Sequence, residues 1–359
     1  MNVWLRVFAG MVGLCIQVLV LDAAIRTFLL PRVANVRLSR FIAKAVGKIF
    51  FLLARSNKSY LARDRILALY PSIVLLTYQT SWLAMSLVTF ALGFVAAGAS
   101  SFSLAFQASG SSLFTLGTSA AHGGALIVLQ FVEAGAGLTL LALLIAFIPT
   151  LYSAFQRREL SVSRLSVRAG ITTTPWGVLE LAQSVGSYER LDELWREWEQ
   201  WFIDVGETHS TLPILNYYRS PNANQTWIGC AATVLDAAAL FNAAVDANPS
   251  PSAGLCIRSG WLTLRKLADY FGVSYPTTLT RNVPISITRE EFDLVVLRLE
   301  RIGVPLVTDR DAAWVDFAGW RMNYDALIKS FFGLFNCPRT DWHQASIQPL
   351  FGPSNKRGT

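Results

Sequence analysis

The chain has 359 residues, 53% of them apolar, with a mean hydropathy of +0.40 and only 15% charged. A soluble domain ordinarily carries about 25% charged residues, so this composition excludes a disordered chain and argues against an ordinary soluble enzyme. The net charge of +7 is unevenly placed: residues 1–65 hold eleven Lys and Arg against Asp22 and Asp64, whereas residues 66–156 hold one formal charge, Glu133. A basic excess set beside apolar runs points to a membrane surface as partner and away from nucleic acid.

Crossing the roughly 30 Å hydrocarbon core takes about 20 apolar residues of helix. Three stretches meet that length: Val3–Leu30, Ile66–Ala97 and Gly123–Phe155. In the first, Asp22 and Arg26 stand four apart and can pair on one helix face as the helix leaves the core. Its apolar run is too long for a signal-peptide core and lacks an A-x-A-like cleavage site, so residues 1–31 are expected as a spanning helix. The third stretch, at 1.5 Å per residue, reaches about 50 Å and is expected to protrude into the cytosol.

Residues 32–65 form a basic segment with nine Lys and Arg and one acid. Arg37, Arg40, Lys44 and Lys48 fall three to four apart and alternate with Phe41, Ile42, Val46, Ile49 and Phe50, the pattern of an amphipathic helix lying on anionic lipid head groups. The positive-inside rule then places residues 32–65 in the cytoplasm together with Arg157 and Arg158, and the amino terminus outside, in a multi-pass protein of a cell inner membrane.

Between the second and third stretches runs ASSFSLAFQASGSSLFTLGTSAAHG, too apolar for an exposed loop and too rich in Ser, Gly and Thr for another span. Non-helical backbone at membrane depth is tolerated only where protein or a water-filled cavity surrounds it. A re-entrant half-helix followed by an extended segment fits. The expected fold is therefore an all-α membrane protein with four parts: an N-terminal spanning helix (1–31), the basic segment (32–65), a two-helix pore module with a re-entrant loop (66–156), and a mostly helical cytoplasmic domain (157–359).

A spanning helix, a short helix, Thr115-Leu116-Gly117-Thr118-Ser119 and a second spanning helix resembles the pore module of the potassium-channel superfamily, whose members carry T-V-G-Y-G at this place. The run Leu140–Glu159 and the stretches Ser286–Phe292 and Asp316–Asp325 look like a bacterial subgroup of two-span ion-channel-like proteins with a large helical cytoplasmic region. The resemblance implies a homotetramer in which carbonyl oxygens of residues 115–119 replace the water shell of a permeant monovalent cation, K+ or Na+. Alternate residues of such a filter take positive φ, which Gly117 permits; Ser119 stands where the family has its second glycine, and Ala120 where it has an outer acid. Both departures point to weak selectivity. Gly135 falls on the family's hinge glycine; with Gly137 and Pro149 it reads as a gating hinge or as ordinary close packing.

Glu133 has no Lys or Arg in the pore module to pair with. It either forms an acidic ring in the inner cavity or, as a carboxylic acid, hydrogen-bonds to Ser111, Ser112 and Thr115 behind the filter. Ala136 and Leu140 are the positions expected to face the axis.

The cytoplasmic part reads as helices at Trp176–Val205, Ile228–Asp246, Ala253–Phe271, Thr288–Arg301 and Arg310–Phe335, with breaks at 220–225 and 248–252. Trp195, Trp198 and Trp201 recur in steps of three as a core stripe, and Thr288 with Glu291 makes a capping box. Cys15, Cys230, Cys256 and Cys337 form no C-x-x-C, and His122, His209 and His343 show no ligand spacing, so neither a metal site nor a catalytic constellation or cofactor is expected. No ligand or protein partner of this region is named by its sequence. The expected function is a weakly selective cation channel and not an enzyme; the alternative is a non-conducting, membrane-anchored signalling or scaffold protein that retains the pore fold.

Overall fold

The structure, a computed structural model, describes residues 3–29, 37–57, 59–119, 123–169, 173–186, 188–276, 284–338 and 342. Its named elements are all helices, and the one β-bridge among the described residues joins Val245 to Leu306. The chain divides into two units, residues 1–153 and 154–359, with the boundary inside a helix.

The first unit holds α1 (Val3–Phe28), α2 (Arg37–Arg55), α3 (Tyr60–Ala96), α4 (Phe102–Leu113) and the first part of α5 (Gly124–Ala169). The 26, 37 and 46 residues of α1, α3 and α5 are long and apolar enough to cross a membrane. Packing against α3 draws α1 into the module: Thr89 Oγ1 donates to Gln17 Oε1 at 2.8 Å, and the Phe28 and Trp82 rings meet edge to face at 5.1 Å. At the far end of α1, Arg26 and Asp22 pair at 2.7 Å.

The α2 surface has three sides. Ile42 and Ala54 are buried, and Tyr70 of α3 donates its hydroxyl to Ala43 O at 3.2 Å. Arg40, Lys44 and Lys48 are exposed, while the Arg37 side chain lies outside the described residues. Phe41, Ile49 and Leu52 are exposed as well, Phe41 at 70%. The sequence pattern groups Phe41 and Ile49 with Ile42; at 100° per residue Phe41 falls beside the basic row, while Ile49 lies within about 20° of Ile42 and is exposed there.

In the second unit the tail of α5 joins α6 (Pro175–Val185), α7 (Glu189–Thr211), a 3₁₀ turn (Pro213–Tyr217), α8 (Trp227–Ala244), α9 (Pro251–Phe271), α10 (Arg289–Arg301), α11 (Arg310–Arg321) and α12 (Asp325–Leu334). Side-chain oxygens of Thr174, Thr226, Ser250, Thr288 and Asp309 cap five of these helices. The capping box is present, with Thr288 N donating to Glu291 Oε2 at 2.6 Å and Glu291 N to Thr288 Oγ1 at 3.2 Å. Although α8 is a fourth helix long and apolar enough to cross a membrane, 94% of it is buried in this unit, as in a core helix whose Ala-rich surface lets neighbours approach from every side.

Two expected helices are each broken in two. Residues 176–205 break at Gly186, whose φ of +68° caps α6 in the left-handed conformation. Residues 310–335 break at 322–324, a turn that brings Arg321 and Tyr324 together onto buried Asp236 of α8. Arg321 forms an ion pair with Asp236, Tyr324 Oη donates to it at 2.9 Å, and Trp342 Nε1 donates at 3.1 Å. Continuing the helix through 322–324 would lose part of this network, and leaving a buried carboxylate short of donors costs more than a helical turn. Trp195, Trp198 and Trp201 are buried in the core, as their spacing predicts.

The α5 tail is fixed in this unit by Arg158, whose residue is 0% exposed. Its guanidinium pairs with Glu159 at 2.6 Å and donates to Leu215 O at 2.9 Å and Tyr218 O at 2.8 Å. It also stands 3.1 Å from His209 Nε2. A guanidinium only donates, so Nε2 must accept; the ring proton is then on Nδ1, 3.0 Å from Thr208 Oγ1. Burial, reinforced by Arg158, holds the His209 pKa well below its usual value. The unfolded histidine binds a proton below about pH 6.5 and the folded one does not, so stability is lost as pH falls below that value, by up to about 1.4 kcal/mol per pH unit. Melting temperatures of the full chain between pH 7.5 and pH 5 are expected to fall along this slope, and His209→Gln, which keeps an acceptor for Arg158, is expected to flatten it.

Candidate functional site

The site is built on α4 and its exit. Ser101 caps the helix, its Oγ accepting from Leu104 N at 3.3 Å, and Ala105 is buried in a cluster with Phe90, Phe94 and Val95 of α3 and Ala136 of α5. Beyond Leu113 the chain closes α4 with paired hydrogen bonds: Thr115 N donates to Ser112 O at 3.1 Å and Leu116 N to Ser111 O at 2.8 Å. This is the helix end that usually carries glycine in the left-handed position. Thr115 occupies it with φ +54°, at a cost of roughly 1 kcal/mol or more for a residue with a Cβ.

Two residues on, Gly117 has φ +68°, so alternate residues of the segment take positive φ. Ser119 does not; among the described non-glycine residues only Thr115 and Asn336 do. Ser119 is instead held at both its backbone groups. Its N–H donates to Ser111 Oγ at 3.1 Å, and its carbonyl accepts from Gln130 Nε2 of α5 at 3.0 Å. Between these anchors, residues 115–118 are exposed, Leu116 at 64%, and no donor among the described residues meets their four carbonyl oxygens. A run of carbonyls left without donors presents the negative ends of its dipoles, which is what a desolvating cation requires. Ala120 and His122 lie outside the described residues.

The partner of Glu133 is one turn earlier on α4 than the sequence suggests. Ser109 Oγ lies 2.5 Å from Glu133 Oε1, while Ser111 is engaged by Ser119 N and Ser112 donates back to Ala108 O at 2.9 Å. Register explains the difference. A Cβ at Gly137 would lie 2.4 Å from Leu113 O, so Gly137 abuts Leu113; four residues back on each helix, Glu133 then abuts Ser109. The two helices run alongside each other in the same direction with a fixed offset, which no single-helix pattern encodes.

That register also settles the packing of the other expected residues within the chain. Ala136 (8% exposed) and Leu140 (0%) lie on the face of α5 covered by the chain itself. The exposed apolar side of α5 carries Val128, Phe131, Val132, Leu138 and Ile145. Gly137 is a close-packing position, Gly135 has open space around it, and Pro149 sits exposed within α5, where its ring removes one backbone donor. Ser109 and Gln130 were not legible as site residues, although Gln130, Glu133 and Gly137 do fall at i, i+3 and i+7, the spacing of one helix face. Among the described residues no group of three His, Cys, Asp or Glu side chains could hold a metal ion.

No known protein family, curated protein or solved structure matches the chain. By length and composition α1, α3 and α5 suit a membrane protein, and the arrangement around residues 109–137 lies between two of them. Gly137→Ala is expected to force α4 and α5 apart and destabilise the protein by about 1–3 kcal/mol. Gly135→Ala is expected to be neutral or to stabilise by up to about 1 kcal/mol. Thermal unfolding of the two variants in detergent checks the contrast.

Proposed function

We propose that the chain is the subunit of a homotetrameric cation channel of a cell inner membrane, similar in its pore module to the potassium-channel superfamily. In this reading the loops Thr115–Ser119 of four copies converge on one axis, and monovalent cations, K+ or Na+, pass with weak selectivity. The observation that carries it is the stretch of four carbonyls at 115–118 that meet no donor among the described residues, with positive φ at Thr115 and Gly117, between two helices long enough to span a bilayer. Arg40, Lys44 and Lys48, with exposed Phe41 beside them, suit the anionic cytoplasmic leaflet and would place residues 154–359 in the cytosol.

Weak selectivity follows from Ser119. A potassium-type cage needs every carbonyl turned inward along the whole segment, whereas the Ser119 carbonyl is taken by Gln130. The carbonyls of Thr115 and Leu116 would then form a short inner site, and the hydroxyls of Thr118 and Ser119 would line a wider and wetter outer vestibule. A site that strips less water discriminates less by ion size. The same Ser119–Gln130 bond favours the second reading, a non-conducting membrane-anchored scaffold or signalling protein.

Reversal potentials of the purified protein in liposomes under a potassium/sodium gradient are expected near zero, and Thr118→Tyr with Ser119→Gly is expected to shift them toward the potassium equilibrium value. A wild-type reversal at that value contradicts weak selectivity; absence of any cation current selects the scaffold.

A further inference from the structure

Ser109 Oγ makes two contacts that each require a hydrogen: 2.8 Å to Leu87 O and 2.5 Å to Glu133 Oε1. A hydroxyl carries one proton, and a backbone carbonyl only accepts. If Ser109 donates to Glu133, its oxygen and the Leu87 carbonyl face each other with no proton between them. If it donates to Leu87, the proton of the shorter contact must come from Glu133. Both contacts are satisfied only by the chain Glu133 O–H to Ser109 O–H to Leu87 O=C, with Glu133 as a neutral acid.

The second carboxyl oxygen supports the same assignment. Glu133 is fully buried, and its Oε2 has no partner among the described residues. As part of a carboxylate it would hold charge with neither donor nor cation; as the carbonyl of an acid it costs far less. No other formal charge lies in residues 66–156, which include most of α3, all of α4 and the facing half of α5. The other titratable side chains there are Tyr70 and Tyr78 of α3, Tyr152 of α5, and His122, which lies outside the described residues. Tyr78 is nine residues, about 13 Å, before Leu87, and Tyr152 is nineteen residues, about 28 Å, past Glu133.

We infer that Glu133, in its acid form, is a positioning residue of the pore loop: through Ser109 it clasps α4 to the backbone of α3 and so fixes the helix whose end presents residues 115–118. The inference deepens the channel reading, and its functional half rests on that reading. In alkali the acid proton passes to hydroxide. Ser109 must then turn its own proton to the carboxylate, and the link to Leu87 is lost.

The test uses the full chain in liposomes and two readouts. Infrared difference spectra of wild type against Glu133→Gln report the carboxyl directly: the carbonyl stretch of a protonated acid is expected at neutral pH and is expected to disappear as the pH is raised. Cation flux reports the clasp. Wild-type flux is expected to change roughly tenfold across the same titration, the weight of one buried hydrogen bond. Glu133→Gln, whose amide N–H can donate to Ser109 as the acid does, is expected to keep the neutral-pH flux with a flat profile. Ser109→Ala is expected to show the alkaline flux at every pH. A carboxylate band from Glu133 at neutral pH overturns the inference, as does an unchanged pH profile in Glu133→Gln. If no variant conducts, the channel reading fails, and the infrared band alone decides the protonated clasp.

Discussion

Backbone that leaves a helix inside a bilayer must have its polar groups met by protein or by water. In the segment after α4 the protein meets these groups unevenly. Three of its N–H groups are answered: Thr115 and Leu116 by the carbonyls of Ser112 and Ser111, and Ser119 by the Ser111 hydroxyl; those of Gly117 and Thr118 meet no acceptor among the described residues. Its last carbonyl is answered by Gln130. The four carbonyls between are left to whatever occupies the space they face. The strain at Thr115 is offset by the hydrogen bonds on either side of it.

The serines of α4 explain why so short a helix can hold that loop. Ser109 engages Glu133 and α3, Ser111 engages the loop, and Ser112 folds back on its own helix. Packing at Gly137 sets the α4–α5 register on which the Ser109 contact depends. One element, α5, then continues from this module into the second unit, where Arg158 binds it to the 3₁₀ turn and α7 through bonds that tolerate little displacement. Within α5, Pro149 removes one backbone donor.

The sequence made visible what depends on local pattern. Runs of apolar residues announce α1, α3 and α5 because a spanning helix must be apolar along its length, and Thr288 with Glu291 announces the start of α10 because both halves of a capping box lie within one turn. It concealed what depends on distant partners. Nothing near 322–324 marks a break, since its cause is Asp236 some 85 residues earlier. Glu133 was evident as the lone charge of its region, but its partner required the α4–α5 offset. Helical phase along α5 does not tell which face its own chain covers, and that face carries Ala136 and Leu140.

A density map of the full chain in lipid nanodiscs tests the central claim most directly, since it shows where residues 115–118 lie in the assembly. The account predicts four copies around one axis, with the carbonyls of Thr115 and Leu116 lining it and the exposed apolar side of α5 covered by neighbouring copies. A monomer, or an assembly whose symmetry axis passes away from residues 115–118, would contradict it.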